Sequence, residues 1–215
     1  MENILDLYAS ECPQNTARLS FDERPCQLIG DIYSPMKMQP GKVQRNDCEY
    51  VRNGSSCLLM AYDIDSGQRY GQLRDTRTKK DFAEFWDWLD QKYSHVDHLQ
   101  IVLDNLNTHM LGSFYENLPI SRASFLRTKI DFHFTPKHAS WLNVIEIEFS
   151  ALSRQCLNRR IGTKEELKRE VEAWIAKRNE LETKICWAFT VAKARTKMAT
   201  ERFGGQGTEP YFFFG

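Results

Sequence analysis

The chain has 215 residues, 29 Lys plus Arg against 29 Asp plus Glu, a net charge of zero and 12% aromatic residues. This is enough chain for one sizeable domain with its own core; the composition excludes wholesale disorder, and the neutral balance excludes a protein that holds nucleic acid by bulk charge alone. The N-terminus MENILDLYASECPQ has no basic segment followed by an apolar run and no stretch is long enough to span a bilayer, so a cytoplasmic protein without a membrane partner is expected.

Residues 2–9 read as a short helix that Pro13, Asn15 and Thr16 break, making 1–16 a leader. Leu19 and Phe21 alternate with Arg18 and Ser20, which predicts a short strand from Ala17 to Asp22 with Asp22 at its exit. The polar passage that follows, with Pro35, Pro40, Gly41, Asn53 and Gly54, reads as loop or irregular hairpin. Cys57 to Ile64 is a second strand, and a turn at Asp65, Ser66 and Gly67 leads into a third, RYGQL. From Lys79 to Tyr93 the spacing of Phe82, Phe85, Trp86, Leu89 and Tyr93 predicts a helix with one apolar stripe, a core face rather than a platform for stacking bases. His98 to Leu103 is a fourth strand, apolar enough to be buried and parallel, and it breaks at Asp104 and Asn105. Residues 107–117 read as helix and Lys129 to Phe134 as a fifth strand, ending before Pro136.

The helix beyond Pro136 shows Ile145, Phe149, Leu152 and Cys156 on one face. Glu146 and Glu148 flank this stripe on opposite sides, so helical phase does not choose between them. Thr163 with Glu166 is a capping-box signature for a helix through Arg178 that buries Leu167, Val171 and Trp174. A last helix is expected over 190–199, and 201–215 is a Gly-rich tail expected to be disordered. The six cysteines form no C-x-x-C pair and no zinc-like spacing, which predicts reduced thiols. Charge is unevenly spread: residues 81–104 carry six acids against Lys92, whereas 151–200 carry twelve basic residues against six Glu. A carboxylate centre beside a phosphate-binding face accounts for this, and so do solvated helix faces.

Strand-strand-strand-helix-strand-helix-strand-helix is the element order of an RNase H-like fold: α/β, a mixed five-stranded sheet flanked by helices, here over 17–200 with extra C-terminal helices. The first and fourth strands are then neighbours, and Asp22 and Asp104 share the sheet edge where such folds collect their chemistry. A carboxylate from the following helix would complete three oxygen ligands, a set suited to Mg or Mn rather than Zn.

FDERPCQL at 21–28, VLDNLNTH at 102–109 and TPKHASWLNVIEIEFSALSRQCLNRR at 135–160 resemble the catalytic core of DDE transposases of the mariner superfamily, in its bacterial insertion-sequence branch. The similarity runs from about Leu19 to about Met198. It implies a catalytic, metal-holding triad of Asp22, Asp104 and Glu146, with 81 residues between the first two and 41 between the second pair. Leu142, Asn143, Val144, Ile145 and Glu146 match the family's L-N-x-x run followed by its acid, so the resemblance, not periodicity, selects Glu146 over Glu148. Two Mg or Mn ions about 4 Å apart are implied, serving strand cleavage and strand transfer without a covalent enzyme intermediate. Asn105, His109, His138 and Asn143 are candidates for orienting the ligands, although a loop His is also readily a solvent-exposed one and an Asn readily begins a turn or caps a helix. Arg154, Arg159, Arg160 and Lys164 are the phosphate candidates, with solvated basic residues as the alternative.

The expected partners are DNA, as element ends and target, and a second copy in a homodimeric active complex close to the nucleoid. The family's helix-turn-helix region does not fit in the 21 residues before Asp22, so a catalytic-domain fragment, a split-gene product with a separate helix-turn-helix partner, or a decayed copy is expected. Two other activities stay open: a remnant that binds DNA or a full-length transposase without catalysis, and a nuclease acting on RNA in a hybrid.

Overall fold

A computed structural model describes residues 1–33, 41, 48–107, 109–137 and 139–196. Strands β1 (Thr16–Asp31), β2 (Tyr50–Asp63), β3 (Arg69–Arg74), β4 (His98–Leu103) and β5 (Ile130–Phe134) form one sheet in the order β3-β2-β1-β4-β5. β2 runs antiparallel to both of its neighbours, β1 and β3, while β1 to β4 and β4 to β5 are parallel. This is the RNase H-like arrangement that the element order predicts.

Side-chain alternation sends each strand's residues to two faces, and different helices cover each. On one face Leu19, Phe21, Leu59, Ala61, Ile101 and Leu103 meet the aromatic stripe of α2 (Lys79–Asp90), with α3 (Gly112–Asn117) and α4 (Ile120–Lys129) alongside. Phe82, Phe85, Trp86 and Leu89 are fully buried there, each worth about 1.5–3 kcal/mol of burial. On the other face Leu58, Met60 and Tyr62 pack against α5 (Ile145–Gln155) and α6 (Lys164–Glu180), from which Leu167, Val171 and Trp174 point inward. The Thr163 hydroxyl caps α6 by accepting from the Glu166 N–H at 3.2 Å. The segment expected as a leader forms α1 (Glu2–Ala9), whose Ile4, Leu5 and Leu7 bury against Val102, Ala139 and Leu142.

Four element boundaries differ from expectation. β1 does not stop at Asp22. Its parallel ladder with β4 ends at Ser20 opposite Val102, but it pairs on with β2 as far as Asp31, and β2 correspondingly begins at Tyr50 rather than Cys57. Pro25 lies past the parallel ladder, where β1 has become an edge and proline is tolerated. Within 107–117 only Gly112–Asn117 is helical, because the chain after β4 first turns back to bury His109. α4 was not foreseen, and Pro119 at its N-cap is the signal that marks it. Residues 191–196 are helical; the remainder of the helix expected to 199, the tail and His138 lie outside the described residues. Among the described residues no helix is long and apolar enough to cross a membrane, and no two cysteines are joined in a disulfide.

Candidate active site

The register of the parallel ladder brings the first two acids together. Ser20 faces Val102 in the last rung, and Asp22 and Asp104 each follow two residues later, so both emerge beside each other at the carboxyl edge of the sheet. Even-numbered residues of β1 face α5, which puts Asp22 under the first turn of that helix. Glu146 there is solvent-accessible and near enough to Asp22 for the two carboxyls to influence each other's proton affinity. Burial, together with repulsion from Asp104 and Glu146, pushes the Asp22 carboxyl up to about 7 against the 2.7 Å hydrogen bond it accepts from the Glu23 N–H. Glu146 is raised too, by burial and by Asp104, with Arg24 and Asp22 opposing. Negative charge that crowds Asp22 and Glu146 and favours a proton there favours a divalent cation for the same reason.

What holds Glu146 over the strand acids is Asn143. Its Nδ2 donates to the Phe21 carbonyl at 2.9 Å and its Oδ1 accepts from the Ser20 hydroxyl, which in turn accepts from the Ile145 N–H at 3.0 Å. All of this is buried, so the start of α5 is pinned to β1 two residues before Asp22. Asn143→Ala leaves the Ser20 O–H without its acceptor and removes the side-chain donor to the Phe21 carbonyl, and is expected to destabilise the fold by about 1–3 kcal/mol, measured as a shifted urea midpoint. Ser20 and Arg24 escaped the sequence reading. A Ser in a strand carries no signal of its own, and only the register shows that it faces Asn143.

Glu148, equivalent to Glu146 by helical phase, is fully buried on the far side of α5. Arg69 reaches it through Nε at 2.7 Å and Nη2 at 2.9 Å, and Arg178 through Nε at 3.0 Å and Nη2 at 2.9 Å. Burial would raise this carboxyl, but the two guanidinium forks outweigh it and hold it below the ordinary range.

Glu23 points to the opposite face from Asp22 and meets His109. The imidazole is fully buried, stacked on Phe82 at 5.0 Å and edge-on to Phe21 at 5.5 Å. Its Nε2 is 3.2 Å from Glu23 Oε1, and its Nδ1 is 2.6 Å from Asp104 Oδ1 and 3.2 Å from the Asp104 carbonyl. Desolvation lowers the affinity of this ring for a proton, yet the hydrogen bonds and charges of Asp104 and Glu23 prevail and push it up to about 9. Asn105 is exposed in the loop after β4.

The basic candidates divide. Arg159 pairs with Glu170 at 2.5 Å, Arg160 with Asp31 at 2.6 Å and Lys164 with Asp75, whereas Arg154, among the described residues, donates to the Ser150 hydroxyl at 3.0 Å. Arg154 and Arg159 line, with Trp174, Lys177 and Arg178, a cleft between the end of α5 and α6.

The donor set suits hard divalent ions: three carboxylates from three elements, with no thiolate and one side open to solvent. Among the described residues no three His, Cys, Asp or Glu side chains stand together closely enough to hold a metal ion as placed.

Known proteins bear on this arrangement. The chain is similar in fold to a Mos1 transposase paired-end complex with left transposon end, at TM-score 0.56 and 14% identity, over 81% of this chain and 53% of that one. It is similar also to a Mos1 mariner paired-end complex with Mn, at TM-score 0.56 and 15% identity over 84% and 54%, and to the Mos1 strand transfer complex, at TM-score 0.56 and 14% over 84% and 55%. The chain thus spans about half the length of these structures. No curated protein sequence matches it. The family model described as DDE superfamily endonuclease matches residues 17–168, from the start of β1 into α6 and across all three gathered acids, and the chain belongs to that family.

Proposed function

We propose that this chain is the catalytic domain of a transposase of the mariner superfamily, in its bacterial insertion-sequence branch, which cuts DNA at the ends of a mobile element and transfers the freed strand to a target. The observation that carries the reading is the convergence of Asp22, Asp104 and Glu146 at one edge of the sheet. In this reading the three acids hold two Mg or Mn ions, which when bound polarise the scissile phosphodiester and stabilise the leaving oxygen. Asp22, whose carboxyl is raised to about 7, would hold a metal ion in its deprotonated form, since ligands must be deprotonated. Asn143 keeps Glu146 in reach, and Arg24 tempers the charge of Glu146. Arg154 and the neighbouring basic cleft offer contacts to DNA phosphates, and a second copy of the chain in the active complex is part of the proposal.

Asp104→Asn is the test: Mg- or Mn-dependent nicking of an element-end duplex is expected to vanish while the melting curve stays that of a folded protein. Undiminished nicking by that variant contradicts the proposal. A second reading, a remnant that binds DNA or a full-length transposase without cutting, is favoured by one observation, the lack of a tight three-ligand shell among the described residues. Absence of Mn binding at millimolar metal would select it.

A further inference from the structure

Two strand acids at a sheet edge are free to rotate unless something behind the sheet fixes them, and residue 23 touches the supports of both. Its main-chain N–H donates to Asp22 Oδ1 at 2.7 Å. Its side chain, only 1% exposed, turns to the opposite face and meets His109 Nε2 at 3.2 Å. His109, with no exposed side-chain surface, closes on Asp104 through Nδ1, aligned on the carbonyl at 3.2 Å and in ionic contact with Oδ1 at 2.6 Å. A continuous polar path therefore runs from Asp22 through Glu23 and His109 to Asp104, behind the carboxylates and walled by Phe21 and Phe82. The oxygens that face the two ring nitrogens, Glu23 Oε1 and the Asp104 carbonyl, are both placed as acceptors, so each nitrogen is tied to one side of the path. Helix packing does not require it: a Phe would fill the same aromatic slot, and burying two acids and an imidazole costs more than burying hydrocarbon.

We infer that Glu23 and His109 are positioning residues that set the carboxylate of Asp104, and its spacing from Asp22, for divalent-metal binding. The inference rests on the proposed carboxylate site. Such supports behind metal ligands typically change metal affinity by about 10–100-fold. They do so without touching the metal, which separates this role from that of Asp104 itself.

The experiment is calorimetric titration of the full chain with Mn, well below its melting temperature. His109→Phe, which keeps the aromatic contacts, is expected to weaken Mn binding by about 10–100-fold, and Glu23→Leu similarly. The double variant is expected to be no weaker than His109→Phe alone, since both break one path. Glu23→Gln, whose amide oxygen still accepts from Nε2, is expected to bind close to wild type. If His109→Phe does not fold, the contrast between Glu23→Leu and Glu23→Gln carries the same test. Wild-type affinity in His109→Phe and Glu23→Leu, alongside loss of binding in Asp104→Asn, would overturn the inference and leave the carboxylate site standing. Wild-type affinity in Asp104→Asn would instead remove the carboxylate site, and the inference with it.

Discussion

Replacing Glu148 by Gln is expected to lower the unfolding free energy by about 3–5 kcal/mol, the cost of leaving buried charges without their partner. The carboxylate is fully buried between Arg69, whose side chain is also fully buried, and Arg178, which is 15% exposed. Gln keeps the shape but removes the charge that balances two guanidinium groups. The node also joins three distant stretches: β3 through Arg69, α5 through Glu148 and α6 through Arg178. Arg69 further donates to the Gly67 and Thr183 carbonyls, so the loss would spread to the chain beyond α6. The wild type carries the matching pH dependence. The folded carboxyl lies below its ordinary value of 4.5, so its stabilisation is complete above that value and is lost as pH falls through the lowered folded one. Urea unfolding of wild type and variant at pH 7 and pH 3 checks this; the gap between them is expected to shrink at the lower pH.

Glu146→Gln is expected to do the reverse, two residues away. Glu146 is solvent-accessible as a residue, and its carboxyl, partly desolvated by the groups around it, is raised by that desolvation and by Asp104 rather than stabilised by a buried pair. Removing its charge relieves repulsion, so stability is expected to stay within about 0.5 kcal/mol of wild type or to rise. Metal-dependent nicking, under the proposed function, is expected to fall by roughly 10²–10³-fold or more, the scale on which one group stabilising a transition state acts. The two variants lie two residues apart on one helix and separate a fold acid from a site acid. Parallel measurement of nicking rate and urea midpoint on both is the check, and similar stability losses in both would count against the division.

The strand order was legible because hydrophobic alternation and turn residues agree: Leu19 and Phe21 face α2 as the period-two reading requires, and the α2 stripe is core. The bounds of β1 were not legible. Asp22 looks like a strand end because its parallel partner stops there, while the antiparallel ladder to β2 runs on through a polar sequence whose pairing is set by main-chain bonds. Asp22 stands at the end of a ladder, not of a strand. Within the site, helical phase left Glu146 and Glu148 equivalent because both flank the apolar stripe; what separates them is Arg69 and Arg178, 79 and 30 residues away in sequence. The same holds for His109, which a loop position makes look exposed and which the aromatic face buries completely. The phosphate candidates were read from clustering alone, and clustering does not reveal that Arg159, Arg160 and Lys164 face Glu170, Asp31 and Asp75.

The most direct measurement is a crystal structure of the chain soaked in Mn, with the ion located by its anomalous scattering. The account predicts Mn between the carboxylates of Asp22, Asp104 and Glu146, with Glu148 still held by Arg69 and Arg178. Mn bound elsewhere, or a ligand shell that recruits Glu148 in place of Glu146, would contradict it.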